Sequence, residues 1–152
     1  MTGCGCVDLS TEQCHALNDT QEQVCMGGMP TEVILRNEPD IERDNLGAIK
    51  KRTYRNERRF TFHAVVERQQ NAGKLEKLGL RETCDSTATY AIAEWIDAGI
   101  IQLDRLGESF KAIDIIRSTV LFDGTEWKIK DKGLSGRLGG IPLFITLGLE
   151  EN

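Results

Sequence analysis

The stretch Ile113–Gly133, "IDIIRSTVLFDGTEWKIKDKG", holds two runs of strand composition joined by Asp123-Gly124. That dipeptide supplies the pair of positive φ angles that a tight type I′ hairpin needs. Beyond the turn, Trp127 and Ile129 face one way while Glu126, Lys128 and Lys130 face the other, the period of a half-buried strand. A glycine-rich loop, "GLSGRLGG" (133–140), follows, and "IPLFITLGL" (141–149) reads as a closing strand with Leu143, Ile145, Leu147 and Leu149 on one face. Pro142 suits the beginning of a strand or an edge.

Working outward, "RRFTFHAVVER" (58–68) alternates in the same way, with Phe60, Phe62, Ala64 and Val66 on one side and Thr61, His63 and Val65 on the other. "NAGKLEKLGLRE" (71–82) has room for one helical turn ending at Gly79, and "STATYAIAEWI" (86–96) starts as a strand and ends as either strand or short helix. Near the start, Ser10 with Gln13 three residues later forms a capping box for a helix reaching about Val24. "MGGMP" (26–30) then predicts a turn and "TEVILR" (31–36) a short strand. The segment 37–57 is a long polar connection without clear periodicity, the kind that serves as an arm. The expected fold is therefore mainly β: a small β-barrel or sandwich with a late Asp-Gly hairpin, at most one convincing helix and an N-terminal helical or irregular extension. Residues 1–30 form a Cys-rich extension, and 31–152 a single β-rich domain with a polar arm at about 37–59.

The 152 residues suit one core rather than two. No run reaches the roughly 18 apolar residues of a membrane span. The N-terminus lacks the basic and apolar regions of a secretory signal, and five cysteines, an odd number, favour reduced thiols in a cytoplasm. The net charge of -5 is unevenly spread: residues 1–44 hold nine acids against two bases, 45–81 ten bases against three acids, and 82–152 twelve acids against seven bases. Opposed blocks of this kind allow copies to meet head to tail.

Four groups of residues invite chemistry. Cys4, Cys6, Cys14, His15 and Cys25 are soft ligands that would make a zinc-stabilised interaction module. A helix over 11–24, however, sets Cys14 and Cys25 about 16 Å apart, too far to share one ion, so helix and single zinc site exclude each other. Asp114 with Glu126 and Lys128 resembles the D…ExK arrangement of metal-dependent nucleases, two carboxylates for Mg²⁺ and a lysine near the attacking water. "KKRTYRNERR" (50–59) offers Lys50, Lys51, Arg52, Arg55, Arg58 and Arg59 to phosphates or to a neighbouring subunit. "GLSGRLGG" lacks the flanking strand, helix and Lys-Ser/Thr of a phosphate-binding loop. His63 shows no partner in the sequence and is given no role.

"FTFHAVVER" (60–68), "CDSTATYAIAEWIDAGI" (84–100) and above all 113–149 resemble the small neck and tail-completion proteins of tailed bacteriophages. In the head-closure (stopper), connector and tail-terminator types, a compact β-barrel ends in a "dG-x-x-y-x-I" hairpin and a last apolar strand. Asp123, Gly124, Trp127 and Ile129 match that pattern, and the likeness spans about residues 55–150. The resemblance implies a non-enzymatic virion subunit without cofactor, assembled in the host bacterial cytoplasm. It implies a ring, hexamer or dodecamer, that contacts portal, neck or tail proteins and retains or passes DNA, with no membrane partner. The nuclease and zinc-module readings stand as alternatives.

Overall fold

Asp123 and Gly124 take φ of 52° and 71°, and turn the chain between β6 (Thr119–Phe122) and β7 (Thr125–Ser135) with Phe122 opposite Thr125. Both angles lie in the left-handed region, so the turn matches the twist of the strands it joins. The computed structural model describes residues 10–36, 40–53, 57–68, 72–81 and 84–151. Around the late hairpin stand β1 (Met29–Leu35), β4 (Arg58–Arg68), β5 (Ser86–Ala91) and β8 (Phe144–Glu151). They close an antiparallel six-stranded barrel in the order β1-β4-β5-β8-β7-β6. The fold is thus mainly β, a closed barrel preceded by a helix, α1 (Thr11–Gly27).

Cross-strand neighbours share a face, so rows such as Ala64–Tyr90–Ile145–Leu134 and Val33–Val120–Trp127 run around the sheet. Val33, Ala64, Tyr90, Val120, Ile145, Leu147 and Leu149 are wholly excluded from water. Phe62, Tyr90 and Trp95 pack ring against ring, with centroids 5.1 to 6.2 Å apart. The buried Tyr90 hydroxyl meets Thr31 Oγ1 at 2.9 Å, which satisfies a polar group that would otherwise be costly to bury. Burial pushes the Tyr90 phenol far above its ordinary value.

Closure rests on three residue pairs between β1 and β6: Glu32–Leu121, Val33–Val120 and Ile34–Thr119. Arg36, just past β1, fastens that seam. Its backbone N–H donates to Ser118 Oγ at 3.1 Å, and its guanidinium reaches Thr119 Oγ1 at 3.4 Å, Glu57 at 2.8 Å and Glu126 at 3.7 Å.

Helix α1 lies against β4, β5 and the short helix α3 (Ile92–Asp97). The capping box forms as expected: Ser10 Oγ accepts the Gln13 N–H at 3.2 Å, and Gln13 Oε1 accepts the Ser10 N–H at 3.0 Å. Leu17, Thr20 and Val24 make the buried stripe. The turn expected at 26–30 is shorter than the sequence suggests. The helix continues through Gly27 and the strand begins at Met29, with Gly28 alone between them. Pro30 is tolerated in β1 because β6 does not extend that far, leaving one side of the strand without a ladder there.

Three other expectations are corrected. The run 113–118 is not strand, because the Asp114 carboxylate captures the N–H groups of Ile116 and Arg117 in a turn; β6 starts only at Thr119. β7 continues to Ser135, so the glycine-rich loop is shorter than 133–140. The chain also holds more helix than one convincing element: α2 (Ala72–Lys77) and α3 take the helical turn and the short helix that 71–82 and 86–96 left open, and α4 (Leu106–Lys111), entered through a 3-10 turn at Leu103–Arg105, stands where no helix is expected. Each covers only six residues, too few for a helical period to stand out.

Gly28 sits where α1 meets the barrel. A Cβ there would lie 2.6 Å from the Val24 carbonyl oxygen and 2.7 Å from that of Ala64, whereas one at Gly27 would meet nothing within 4 Å. Gly28→Ala is expected to destabilise the protein by about 1–3 kcal/mol through overpacking. Gly27→Ala is expected to be neutral or stabilising by up to about 1 kcal/mol. Urea unfolding of the two variants side by side checks both. Equal effects would show that the approach of helix to strand is not tight.

Candidate functional site

Two places on the barrel stand out, one built for contact and one for chemistry. The first lies in the polar arm. Residues 40–53 are not an irregular connection but a hairpin, β2 (Asp40–Arg43) with β3 (Ile49–Thr53), forming a separate two-stranded sheet. Asp44 organises its tip: Oδ1 accepts the N–H groups of Leu46 and Ala48, both at 2.9 Å. Arg43 donates to the Gly47 carbonyl at 2.8 Å. The hairpin exposes Ile41, Leu46 and Ile49, with Leu46 at 94% of its full surface. Lys50 and Lys51 are exposed on β3 beside them, and Lys50 comes within 3.9 Å of Glu42.

The second place is where α1, β4 and α3 converge. Cys25 lies in the last turn of α1, next to the buried Val24. His63 stands on the face of β4 opposite Phe62 and Ala64, and Glu94 is three residues into α3. The register of β4 and the close seating of Gly28 on Ala64 bring the three side chains together. Cys25 Sγ donates to Glu94 Oε1 at 3.1 Å and lies 3.7 Å from His63 Nδ1, which is itself 3.3 Å from Glu94 Oε1. Glu94 Oε2 accepts the His63 backbone N–H at 3.0 Å, fixing the carboxylate.

The Glu94 side chain is only 10% exposed, and among the described residues the one basic side chain within 4.0 Å of it is His63. Burial, then the hydrogen bond and charge of Glu94, push the Cys25 thiol up to about 11. The thiol therefore stays protonated at neutral pH, unlike an activated nucleophile. A Cys-His-acid relay is excluded for a second reason: sulfur and carboxylate both face Nδ1, whereas such a relay uses opposite ring nitrogens.

The residues singled out in the sequence are dispersed. Cys14, His15 and Cys25 share one continuous helix, so Cys14 and Cys25 are separated along its axis by about 16 Å and cannot hold one ion together. Cys4 and Cys6 lie outside the described residues. Lys50, Lys51 and Arg52 belong to β3, and Arg58 and Arg59 open β4; Arg55 lies outside the described residues. Arg59 pairs with Glu32 at 3.0 Å and Glu57 at 3.3 Å, and Arg58 lies over the Phe60 ring at 5.7 Å. Those two arginines thus serve the barrel wall more than the arm.

Of the nuclease set, Glu126 and Lys128 are both exposed on β7, opposite Leu121 and Thr119. Asp114 sits in the turn before β6 and is held by Arg117 Nη1 at 2.6 Å, while Glu126 faces Arg36. Each carboxylate already has a guanidinium beside it. On sequence alone His63 is given no role, and neither Glu94 nor Arg36 is singled out. The first two are separated from Cys25 by 38 and 69 residues, distances bridged only by the barrel.

Partial burial raises the Asp114 carboxyl, but Arg117 and two backbone N–H donors outweigh it and hold the group below its ordinary 3.8. A depressed carboxylate contributes stability that is complete above the unfolded-state value and disappears as pH falls through the folded-state one. Asp114→Asn keeps the turn's acceptor and removes the charge, so it is expected to cost about 1 kcal/mol at pH 7. The difference should fade as pH falls below the carboxyl's ordinary 3.8 and through its lower folded-state value, which urea melts at pH 7 and at acid pH check. Comparison with protein-family models and with curated proteins finds no match for this chain.

Proposed function

We propose that this protein is a structural subunit of a tailed-phage neck, assembling into a ring that closes the head or connects it to the tail and retains or passes DNA. The observation that supports this best is the β2–β3 hairpin. A two-stranded sheet that, among the described residues, pairs with no third strand is marginal in water by itself. This one nevertheless carries Ile41, Leu46 and Ile49 in the open. Several large apolar side chains left exposed on one short hairpin suggest a surface that another molecule covers. A second copy of the chain is the simplest such molecule, and its acidic sections complement Lys50 and Lys51. Where those lysines face a central channel, they would neutralise phosphates of passing DNA.

The closed barrel fits the same role. Full closure removes exposed strand edges, so copies do not associate by uncontrolled edge pairing, and association is left to the arm. The late Asp-Gly hairpin with Trp127 and Ile129 buried matches the pattern of the stopper and connector proteins the sequence resembles.

Light scattering across micromolar concentrations, with negative-stain images, tests the proposal. Rings or arm-linked multimers are expected, alone or on a portal or tail partner. Leu46→Asp should weaken self-association at least about tenfold, since it removes a buried apolar contact and adds an unpaired charge. Replacing 40–53 by a short Gly-Ser linker should leave a folded monomeric barrel. A wild-type protein that stays monomeric both alone and with every neck partner overturns the reading, as does plasmid cleavage with Mg²⁺ that Glu126→Ala abolishes.

A further inference from the structure

We propose that Cys25, His63 and Glu94 form a Zn²⁺ site of three protein ligands, with a water at the fourth position, that pins the end of α1 to β4 and α3. The inference is independent of the ring-forming role.

The first argument is geometric. In a tetrahedral site with Zn–S about 2.3 Å, Zn–N about 2.05 Å and Zn–O about 2.0 Å, the donor atoms stand about 3.6 Å (S to N), 3.5 Å (S to O) and 3.3 Å (N to O) apart. Here the corresponding separations are 3.7, 3.1 and 3.3 Å. Only the sulfur-to-oxygen pair must widen, by about 0.4 Å, and Cys25 lies on the exposed side of its helix turn, where a small χ1 change accomplishes this. All three donor atoms lie within 4.8 Å of one another.

The second argument is electrostatic. Glu94 is a nearly buried carboxylate, and the one basic side chain within 4.0 Å of it among the described residues is His63, which carries charge only when protonated. Buried charges are normally paired with a cation or bound to a metal. Glu94 Oε2 is taken by the His63 backbone N–H, which aims Oε1 at the space between Sγ and Nδ1. A carboxylate oriented by a second hydrogen bond is what a ligating carboxylate requires.

The third argument is chemical. Thiolate, imidazole and carboxylate together suit a borderline ion such as Zn²⁺ or Co²⁺ and not the hard ions Mg²⁺ and Ca²⁺, which prefer oxygen alone. On binding, the Cys25 S–H bond is replaced by an S–Zn bond and the proton leaves to solvent. His63, 39% exposed, keeps the ion open to water on one side. The set shares only Cys25 with the ligands the N-terminal sequence suggested; the other members come from the barrel and α3.

Titration of the purified, metal-stripped chain with Co²⁺ tests the assignment. Expected is one equivalent bound at about 1 µM or tighter, with the visible bands of a tetrahedral ion and a thiolate-to-cobalt charge-transfer band. Cys25→Ser should abolish the charge-transfer band, and Glu94→Gln and His63→Gln should each weaken binding at least about tenfold. Saturating Zn²⁺ should raise Tm by about 5 °C in the wild type and not in Cys25→Ser. Because His63 is part-exposed, His63→Gln remains informative if Glu94→Gln fails to fold. No cobalt spectrum at about 100 µM metal, binding unaltered by Cys25→Ser, or binding lost in the Cys4→Ser, Cys6→Ser double variant instead, would each overturn it.

Discussion

The fold depends on a short seam. Five of the six barrel junctions are made by pairs of strands with four to eight facing residues, but the sixth, β1 to β6, has only three pairs to join residues some ninety positions apart. Without it the sheet would have two open edges, each a template for unwanted pairing. Arg36 compensates from outside the ladder, bonding to Ser118, Thr119 and Glu126 on the far side while Glu57 holds it from the near side. One residue, through its backbone N–H and its guanidinium, thus spans the start and the end of the barrel's circuit.

What lies on the barrel follows from that closure. With Val33 and Val120 set opposite each other, Phe62, Tyr90 and Trp95 fill one region of the core, and α1 settles over β4 and β5. The helix is held at both ends. Gln13 Nε2 donates to the carbonyls of Leu138 and Gly139, at 3.4 and 3.3 Å, and Gly28 lies flush on Ala64 at the other end. Lys132 gives similar support below: its ammonium donates to the Phe110 and Ile113 carbonyls at the end of α4, and burial lowers its basicity.

Local features of this arrangement could be read from the chain, and distant ones could not. Asp123-Gly124, the alternation of β4 and the Ser10–Gln13 box depend on residues within a few positions of each other, so propensity and period suffice. The hairpin of the arm was hidden because both its faces are exposed, which removes the apolar alternation that announces a strand. The turn at Asp114 was hidden because a side chain, not a breaker residue, holds the chain out of strand until Thr119. Cys25 was visible as a ligand type, but its neighbours were sought among the nearby cysteines. His63 and Glu94 join it only through the register of β4 and the position of α3, which single-sequence reasoning has no means to compute.

The arm is also an excursion between partners that already touch. Leu35, the last residue of β1, pairs with Arg58, the first of β4, so the chain between them leaves the barrel and returns to nearly the same point. Removing or lengthening such an excursion changes only the entropy of closing a loop, about 0.6 kcal/mol for each doubling. The barrel is therefore nearly indifferent to the arm's length, which leaves its reach and its tip residues free to diverge in evolution without disturbing the core.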